Sequence, residues 1–241
     1  MPCCPANREL VIIPIYNEQR YIEEIIFELY RWYCGDVLCI DDGSTDNSFN
    51  ILKRLESTRL KVIRHEINRG YGSSLIEGFK FAAANGYEKL VTMDCDRQHE
   101  PRFVPTFFSA LTDVDIVSGS RYLEDNPDNS TPPADRRSIN ATVTSWVNKL
   151  TGYGITDAFC GFKACKVQAM AKLPLSETGY AFPLQFWVQA YNLGLTVREL
   201  AVPRIYIDAS RTFGGHLDNP EVRLSHYKEI FEKEQKQWLK M

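Results

Sequence analysis

Residues 89–98 read Lys-Leu-Val-Thr-Met-Asp-Cys-Asp-Arg-Gln, an apolar run that ends in the carboxylates of Asp94 and Asp96 and the carboxamide of Gln98. The run at 89–93 is typical of a short buried strand. Oxygen ligands at this spacing, on a chain that leaves a strand, suit Mg²⁺ or Mn²⁺, with substrate phosphates and water completing the coordination shell. The acidic pair alone is also typical of a polar turn, so its meaning depends on the surrounding sequence.

Short β-type runs alternate with helix-period stretches through the first half of the chain. We predict strands at residues 9–13, 37–40, 60–64 and 89–93, and helices at 21–32, 44–55 and 73–85. This alternation predicts an α/β fold of right-handed βαβ units, a Rossmann-like, mainly parallel sheet flanked by helices. In such a sheet, ligands bind beyond the carboxyl ends of the strands.

Two further polar clusters follow predicted strands, as that rule requires of a ligand site. Residues 14–18 read Pro-Ile-Tyr-Asn-Glu after the first strand, and residues 41–46 read Asp-Asp-Gly-Ser-Thr-Asp after the second. Tyr16 is placed to stack on a nucleobase, and an acidic residue at the second strand end can accept hydrogen bonds from a base or a ribose. Tyr16 alone is also typical of packing, and Ser44 or Asp46 of a helix N-cap, so these interpretations stay open.

The second half of the chain is less regular. Strands are predicted at 116–120 and 196–202, and helices at 136–150 and 183–193. A last helix begins after Asp218, with Pro220 in its first turn. The chain shows no internal repeat and no linker. We therefore predict one domain at 1–215 and an amphipathic helical tail at 216–241.

The composition restricts the class of function. The 241 residues carry a net charge of −3 and a pI near 5.9, whereas nucleic-acid binders present a basic face, so nucleic acid is not an expected partner. The seven cysteines form no C-x-x-C pair, which favours reduced, mostly buried thiols in a cytoplasmic protein. No apolar run approaches the roughly 20 residues that cross a bilayer. We expect any membrane contact to be peripheral or supplied by a membrane-protein partner.

Five motifs occur in a fixed order along the chain. They are residues 11–18 (Val-Ile-Ile-Pro-Ile-Tyr-Asn-Glu), 41–46 (Asp-Asp-Gly-Ser-Thr-Asp), 94–99 (Asp-Cys-Asp-Arg-Gln-His), 119–122 (Gly-Ser-Arg-Tyr) and 157–163 (Asp-Ala-Phe-Cys-Gly-Phe-Lys). Together they resemble glycosyltransferase family 2, and within it the dolichyl-phosphate mannose synthase-like and polyprenyl-phosphate glycosyltransferases. The resemblance implies a GT-A fold, with a nucleotide-binding half at about 1–120 and an acceptor half at about 121–215.

The resemblance also implies a donor site for a GDP- or UDP-sugar. The nucleoside would be held by four residues, Pro14, Tyr16, Glu18 and Asp42. The diphosphate and its Mg²⁺ or Mn²⁺ would be held by Asp94, Asp96 and Gln98, with Asp96 catalytic through that metal. Arg121 would face phosphate, since a guanidinium suits bidentate recognition of an oxyanion.

In the acceptor half, the resemblance places Asp157 near the acceptor as a candidate catalytic residue, and a loop-capping role is equally typical of this aspartate. Arg136 or Arg137 could grip an acceptor phosphate, or form a solvated pair at a helix start. Lys163 and Arg211 complete the candidate phosphate-binding residues.

The implied reaction is an inverting, single-displacement transfer of the sugar to a polyprenyl (dolichyl-type) phosphate. Such a phosphate is largely anionic at neutral pH, with a second pKa of about 6, and needs no protein base. A hydroxyl acceptor would need a carboxylate such as Asp157. Residues 204–215 depart from the Gly-x-Ser-Lys ending of the mannose synthases, so the mannosyl donor and the lipid acceptor stay open. The alternatives are transfer to the hydroxyl of a sugar or other glycan, and a non-catalytic nucleotide-sugar-binding subunit.

Two helices carry apolar stripes whose exposure bears on membrane contact. The mid-chain stripe consists of Ile139, Val143, Trp146, Val147 and Leu150, and the tail stripe of Leu224, Tyr227, Phe231 and Trp238. Stripes of this kind are typical both of core helices and of helices at a membrane surface. We predict that at least one stripe leaves a contiguous apolar patch uncovered, for peripheral binding to an anionic membrane surface or for a homodimer contact.

Overall fold

The computed structural model describes residues 8–125, 129–206 and 212–240. Within these ranges the chain forms a seven-stranded sheet in the order β3-β2-β1-β4-β6-β5-β7. The strands are β1 (Glu9–Ile15), β2 (Asp36–Asp41), β3 (Leu60–Arg64), β4 (Lys89–Thr92), β5 (Ile116–Ser120), β6 (Lys163–Lys166) and β7 (Val197–Ala201). Only β6 runs antiparallel to its neighbours, β4 and β5, so the predicted mainly parallel sheet is confirmed.

Helices connect the strands and flank the sheet. They are α1 (Ile22–Trp32), α2 (Ser48–Leu55), α3 (Tyr71–Ala84), α4 (Val104–Ala110), α5 (Ala134–Thr151), α6 (Val167–Met170), α7 (Phe182–Asn192) and α8 (Pro220–Trp238). The predicted start of the last helix is confirmed. The Asn219 side chain caps α8 by accepting hydrogen bonds from the Glu221 and Val222 amides, and Pro220 occupies the first helical position.

A hydrophobic layer covers each face of the sheet. Along β1, Leu10 and Ile12 pack into a cluster with residues of α3, α5, α7 and α8. Val11 and Ile13 point to the opposite face, where they pack with residues of α1, α2 and α4. This alternation follows from the two-residue period of a strand. Because helices cover both faces of the sheet, the edge formed by the strand ends is where a ligand can reach it.

Strand β6 has no counterpart among the predicted strands. Its sequence, Lys-Ala-Cys-Lys, contains no β-branched or aromatic residue, so local propensity does not indicate a strand. Pairing on both sides forms it instead: Cys165 is in register with Leu90 of β4 and with Ile116 of β5. Strand β6 therefore forms because it pairs with the fully buried strands β4 and β5. Sequence periodicity within β6 does not reveal this pairing.

Both apolar stripes are buried within the chain. Val143 and Val147 of the mid-chain stripe have no exposed surface, and Tyr227 and Phe231 of the tail stripe are 2% and 6% exposed. The Trp146 ring stacks on the Phe231 ring at a centroid distance of 6.1 Å. The prediction that one stripe leaves an apolar patch uncovered is wrong, because α5 and α8 pack against each other and cover both.

A buried polar cluster fastens α8 to α7. The Glu234 carboxylate accepts hydrogen bonds from the side-chain amides of Gln185 and Gln189, each at 2.8 Å, and from the Trp238 indole at 3.1 Å. Glu234 is only 4% exposed, so these donors supply the hydrogen bonds that a buried carboxyl group requires. The C-terminal helix is thus packed into the same core as α5 and α7.

The structure bears on the expected absence of membrane-spanning helices and on the expected state of the cysteines. Within the described ranges, no helix combines the length and the apolar character that crossing a membrane requires. Cys39, Cys95, Cys160 and Cys165 are buried free thiols, as predicted, whereas Cys34 is disulfide-bonded.

We expect Phe231→Ala to lower the free energy of unfolding by about 3–4 kcal/mol, because it opens a cavity between α5 and α8. The matched control is Phe27→Ala on α1, where the ring is 62% exposed and its loss should cost less than about 0.5 kcal/mol. Urea-induced unfolding of both variants measures the difference. Equal losses would show that α8 is not an integral part of the core.

Candidate active site

A cleft of about 890 Å³ lies at the carboxyl ends of β1, β2, β4 and β5. It is the position expected for a ligand in a sheet of this topology. The cleft is lined by every residue assigned to the donor and the metal: Pro14, Tyr16, Glu18, Asp42, Asp94, Asp96, Gln98 and Arg121. The fold therefore brings the three polar clusters of the first half together at one site.

Hydrogen bonds join the loop after β1 to the loop after β2. The Asn17 amide donates to Ser44 Oγ at 3.0 Å, and the Glu18 amide donates to Ser48 Oγ at 2.9 Å. Asn17 Oδ1 in turn accepts from the Thr45 amide at 2.8 Å. Asn17 has a φ of 57°, a left-handed conformation that asparagine tolerates better than most residues. The two loops thus form one rigid wall of the cleft.

Tyr16 and Asp46 lie on this wall in different surroundings. The Tyr16 ring is 45% exposed at the cleft, an orientation that permits stacking on a base. The N-cap of α2 is Asn47, so neither predicted candidate, Ser44 or Asp46, occupies the cap position. Asp46 Oδ1 instead makes a local turn with the chain ahead of the helix by accepting a hydrogen bond from the Ser48 amide at 2.9 Å.

Asp42 is 3% exposed and heavily hydrogen-bonded. Its Oδ1 lies 2.6 Å from Nδ1 of His65 and accepts the Arg69 amide at 2.9 Å, and its Oδ2 accepts the Gly70 amide at 2.8 Å. The other ring nitrogen of His65 contacts the Glu77 carboxylate. Asp42 therefore anchors the segment that leads into α3, in addition to facing the cleft.

The two carboxylates after β4 are held by a local turn. Asp96 Oδ1 accepts the Gln98 amide at 3.0 Å, and Arg97 between them adopts a φ of 62°. The Asp94 amide donates to Nδ1 of His99 at 2.9 Å. Burial lowers the pKa of His99 to about 4, so its imidazole is neutral and Nδ1 can accept this bond.

Gly161 allows a close approach between the second half of the chain and Asp94. A Cβ atom at this position would lie 2.8 Å from Asp94 Oδ2 and 2.7 Å from the Tyr71 hydroxyl. The Tyr71 hydroxyl donates to Asp94 Oδ1 at 3.3 Å, and Thr92 Oγ1 donates to the Gly161 carbonyl at 2.7 Å. The Cys160-Gly-Phe-Lys163 motif therefore needs glycine at position 161, because any side chain there would displace the Asp94 carboxylate.

The donor set fits a divalent cation that is shared with a substrate. Asp94, Asp96 and Gln98 offer oxygen ligands on the cleft wall, which Mg²⁺ and Mn²⁺ prefer. Among the residues that the structure describes, no group of three His, Cys, Asp or Glu side chains could form a complete metal cage. A cation here would take its remaining ligands from phosphate oxygens and water.

Arg121 and Asp157 form a buried ion pair. The Arg121 guanidinium donates to Asp157 through Nε at 2.6 Å and through a terminal nitrogen at 2.9 Å, and the Asn140 amide adds a bond of 2.7 Å. Asp157 is fully buried, which alone would raise its pKa. The Arg121 charge and these hydrogen bonds outweigh burial and hold the pKa of Asp157 well below its usual range.

The pairing corrects the assignment of Asp157 as a catalytic residue. A general base must reach the acceptor, yet Asp157 does not line the cleft and its oxygens bond to Arg121, Asn140 and the Phe159 amide. Its depressed pKa also makes it a weak base. Asp157 instead fixes the guanidinium of Arg121, which does line the cleft.

The remaining predicted phosphate-binding residues are not all at the cleft. Arg136 lines it, whereas the Arg137 guanidinium lies over the Tyr122 ring, 3.9 Å from its centroid. Lys163 is 8% exposed on β6, donates to the Cys160 carbonyl and does not reach the cleft, so its assignment is corrected. Arg211 lies outside the described residues.

Sequence reasoning missed several residues that line the cleft. The additional lining residues include Tyr71, Phe159, Tyr180, Phe213, Arg223 and Tyr227. A signal for Tyr71 existed in its flanking glycines: Gly70 has a φ of 101°, and a Cβ at Gly72 would lie 2.3 Å from the Glu177 carbonyl oxygen. Arg223 and Tyr227 carry no such signal, because they reach the cleft only through the packing of α8.

The motifs, the fold and the cleft have counterparts in known proteins. A family model described as Glycosyl transferase family 2 matches residues 10–173. The chain belongs to glycosyl transferase family 2. It is therefore a glycosyltransferase that uses a nucleotide sugar, and the resemblance found in the sequence is confirmed.

Relatives of known name support this membership. The chain is 30% identical over 207 residues to polyprenol monophosphomannose synthase from Mycolicibacterium smegmatis, covering 82% of this chain and 77% of that protein. It is 27% identical over 222 residues to UDP-N-acetylglucosamine–dolichyl-phosphate N-acetylglucosaminyltransferase from Methanococcus voltae, covering 85% and 88%.

A solved structure supports the fold. Glucosyl-3-phosphoglycerate synthase from Mycobacterium tuberculosis, in complex with Mn²⁺, uridine diphosphate and glucosyl-3-phosphoglycerate, superimposes with a TM-score of 0.69. The sequence identity is 16%, and the match covers 96% of this chain and 81% of that chain. The predicted GT-A fold is confirmed.

We expect Gly161→Ala to reduce kcat/KM by about a hundredfold, because the added Cβ must displace the Asp94 carboxylate. The matched control is Gly152→Ala at the end of α5, where φ is 67° and no atom lies within 4 Å of the added Cβ. That variant should lose about 1 kcal/mol of stability through backbone strain and keep its turnover. Steady-state kinetics with matched thermal melts test this, and equal turnover in both variants would contradict it.

The ion pair makes a pH-dependent contribution to stability. Since the folded pKa of Asp157 is depressed, the stabilisation is fully present above the ordinary aspartate pKa of about 3.9 and is lost as pH falls through the folded value. We expect Asp157→Asn to cost about 3–5 kcal/mol, constant between pH 5 and pH 8 and shrinking below about pH 4.

Urea unfolding across this pH range gives the measurement. The control is Asp113→Asn, which removes an exposed ion pair with Arg198 and should cost far less stability than Asp157→Asn at neutral pH. A cost of Asp157→Asn that disappears between pH 8 and pH 6 would contradict the ion pair.

Proposed function

We propose that the chain transfers a sugar, with inversion, from a nucleoside-diphosphate sugar to a polyprenyl phosphate. The observation that carries this proposal is the convergence of Asp94, Asp96 and Gln98 with Arg121 and Arg136 on one cleft. One side of this cleft suits a metal-bound diphosphate and the other an acceptor anion. The names of the relatives, which include an undecaprenyl-phosphate mannosyltransferase from Micrococcus luteus, support the acceptor class.

On the donor side, Tyr16 stacks on the base and Asp42 accepts a hydrogen bond from it. Asp94, Asp96 and Gln98 would hold Mg²⁺ or Mn²⁺ against the diphosphate. The bound cation supplies charge neutralisation for the leaving diphosphate. The close approach at Gly161 and the bond from Tyr71 keep Asp94 in its ligating position, so the site is preorganised before substrate binds.

We reassign Arg121, which the family resemblance placed at the donor phosphate, to the acceptor side, where its guanidinium and that of Arg136 would attract an anionic nucleophile. Arg121 is held in place by Asp157 and keeps 15% of its side chain exposed at the cleft. A phosphate oxygen is already ionised at neutral pH and attacks without losing a proton. This favours a phosphate acceptor over the alternative of a sugar hydroxyl, because the expected base, Asp157, is engaged with Arg121.

The prenyl body of the acceptor would lie along apolar and aromatic side chains of the same cleft. Ile139, Phe159, Pro183 and Tyr227 line it beside Arg136. With both stripes buried, we propose that the protein acts peripherally at the cytoplasmic face of a membrane through the mouth of the cleft. Tyr180, which also lines the cleft, is 40% exposed and suits contact with a membrane surface.

We expect Asp96→Ala to reduce transfer from a nucleotide sugar to polyprenyl phosphate by about a thousandfold or more, since metal stabilisation of the leaving group is worth several kcal/mol. The control is Asp113→Ala, an exposed aspartate outside the cleft lining. A radiolabel transfer assay with Mn²⁺, paired with thermal melts, measures the effect. Normal transfer by folded Asp96→Ala would refute the metal assignment.

A further inference from the structure

The carboxylate of Asp42 has little remaining capacity to accept hydrogen bonds. An ionised carboxylate offers about four lone-pair positions, two on each oxygen. Among the described residues, His65 Nδ1 and the Arg69 amide use both positions on Oδ1, and the Gly70 amide uses one on Oδ2. Since a carboxylate has acceptor atoms only, the proton in the His65 contact belongs to Nδ1. One acceptor position therefore remains, on Oδ2.

The remaining position belongs to the oxygen whose bonded neighbour lines the cleft. Gly70, whose amide bonds to Oδ2, lines the cleft. The two partners of Oδ1, His65 and Arg69, lie away from the described cleft lining, and His65 is 2% exposed. A base that stacks on Tyr16 at the same wall thus meets a single hydrogen-bond acceptor at Asp42.

Nucleobases differ in how many adjacent N–H donors they present on the edge that faces a carboxylate. Uracil presents one, at N3, between two carbonyl groups. Guanine presents two adjacent donors, at N1 and N2, which together match both oxygens of a carboxylate. The N3 atom of cytosine carries no hydrogen and would oppose the Asp42 oxygen with a lone pair.

We propose that the donor is a uridine-diphosphate sugar and that His65 is a positioning residue that enforces this choice. By bonding Oδ1 on the side away from the cleft, His65 holds the carboxylate in the orientation that presents one acceptor position to the base, and the single N3–H of uracil uses that position. Guanine would bury a second donor without a partner, a loss that corresponds to about tenfold or more in affinity. The proposal rests on the proposed function, because it specifies the nucleotide of the same donor site.

The position of the His65 ring does not depend on Asp42 alone. Its Nε2 contacts the Glu77 carboxylate on α3, so the imidazole is held at both ends. Glu77 is partly exposed, with 37% of its side chain accessible, and lies on the helix that begins directly after Gly70. The contact therefore ties the base-facing carboxylate to the fold through a buried ring.

The first test compares UDP, GDP and CDP binding to the unmodified chain by calorimetry at one Mn²⁺ concentration. The diphosphate and the metal are common to the three ligands, so the ratios report on the base alone. We expect UDP to bind about tenfold or more tighter than GDP and CDP. Equal or tighter GDP binding would overturn the inference and leave the proposed function intact. Binding of none of the three would overturn the proposed function and this inference with it.

The second test uses the UDP-to-GDP affinity ratio in two variants of His65. His65→Leu removes a bond that fixes the rotation of the Asp42 carboxylate. The carboxylate can then turn both oxygens toward the cleft, so the ratio should fall by about tenfold. His65→Gln can restore an N–H donor and should keep most of the preference for UDP. Because the UDP and GDP affinities are measured on the same variant, their ratio does not depend on how stable that variant is. An unchanged ratio in folded His65→Leu would overturn the positioning role.

Discussion

The parallel register of β1 with its two neighbours is the constraint on which the site depends. Ile12 pairs with Leu38 of β2 and with Thr92 of β4, so the three strands end at the same edge of the sheet. The polar residues that follow each strand must then share one volume, whatever the loops contain. The bonds from Asn17 and Glu18 to the loop after β2 turn that proximity into a rigid wall.

A second group of contacts joins the second half of the chain to this wall. The absence of a side chain at Gly161 lets the segment before β6 lie against Asp94. The ion pair with Asp157 fixes the position of the Arg121 guanidinium at the cleft. These contacts bring carboxylates and arginines together at one cleft. Under the proposed function, the carboxylates would hold a cation with the donor and the arginines would attract an anionic acceptor. A phosphate acceptor fits this arrangement because it brings its own negative charge.

The sequence was sufficient for the features that local patterns determine. Six of the seven strands, their order of appearance and the clusters around Asp42 and Asp94 follow from periodicity and from the position of polar residues after strands. The sequence was insufficient where the bonding partners are distant along the chain. An aspartate such as Asp157 can serve as a general base, but here its carboxylate pairs with Arg121, 36 residues away. The stripe containing Phe231 shows why exposure is unpredictable, since burial against α5 and insertion at a membrane surface require the same residues.

The central claim is that the acceptor is a phosphate whose own charge replaces a protein base. The direct measurement supplies the purified chain with Mn²⁺, radiolabelled nucleotide sugars and either polyprenyl phosphate or the polyprenol of the same length. The account predicts labelled lipid from the phosphate alone, with the anomeric configuration of the donor inverted. Labelling of the polyprenol at a comparable rate, or a product that retains the donor configuration, would contradict it.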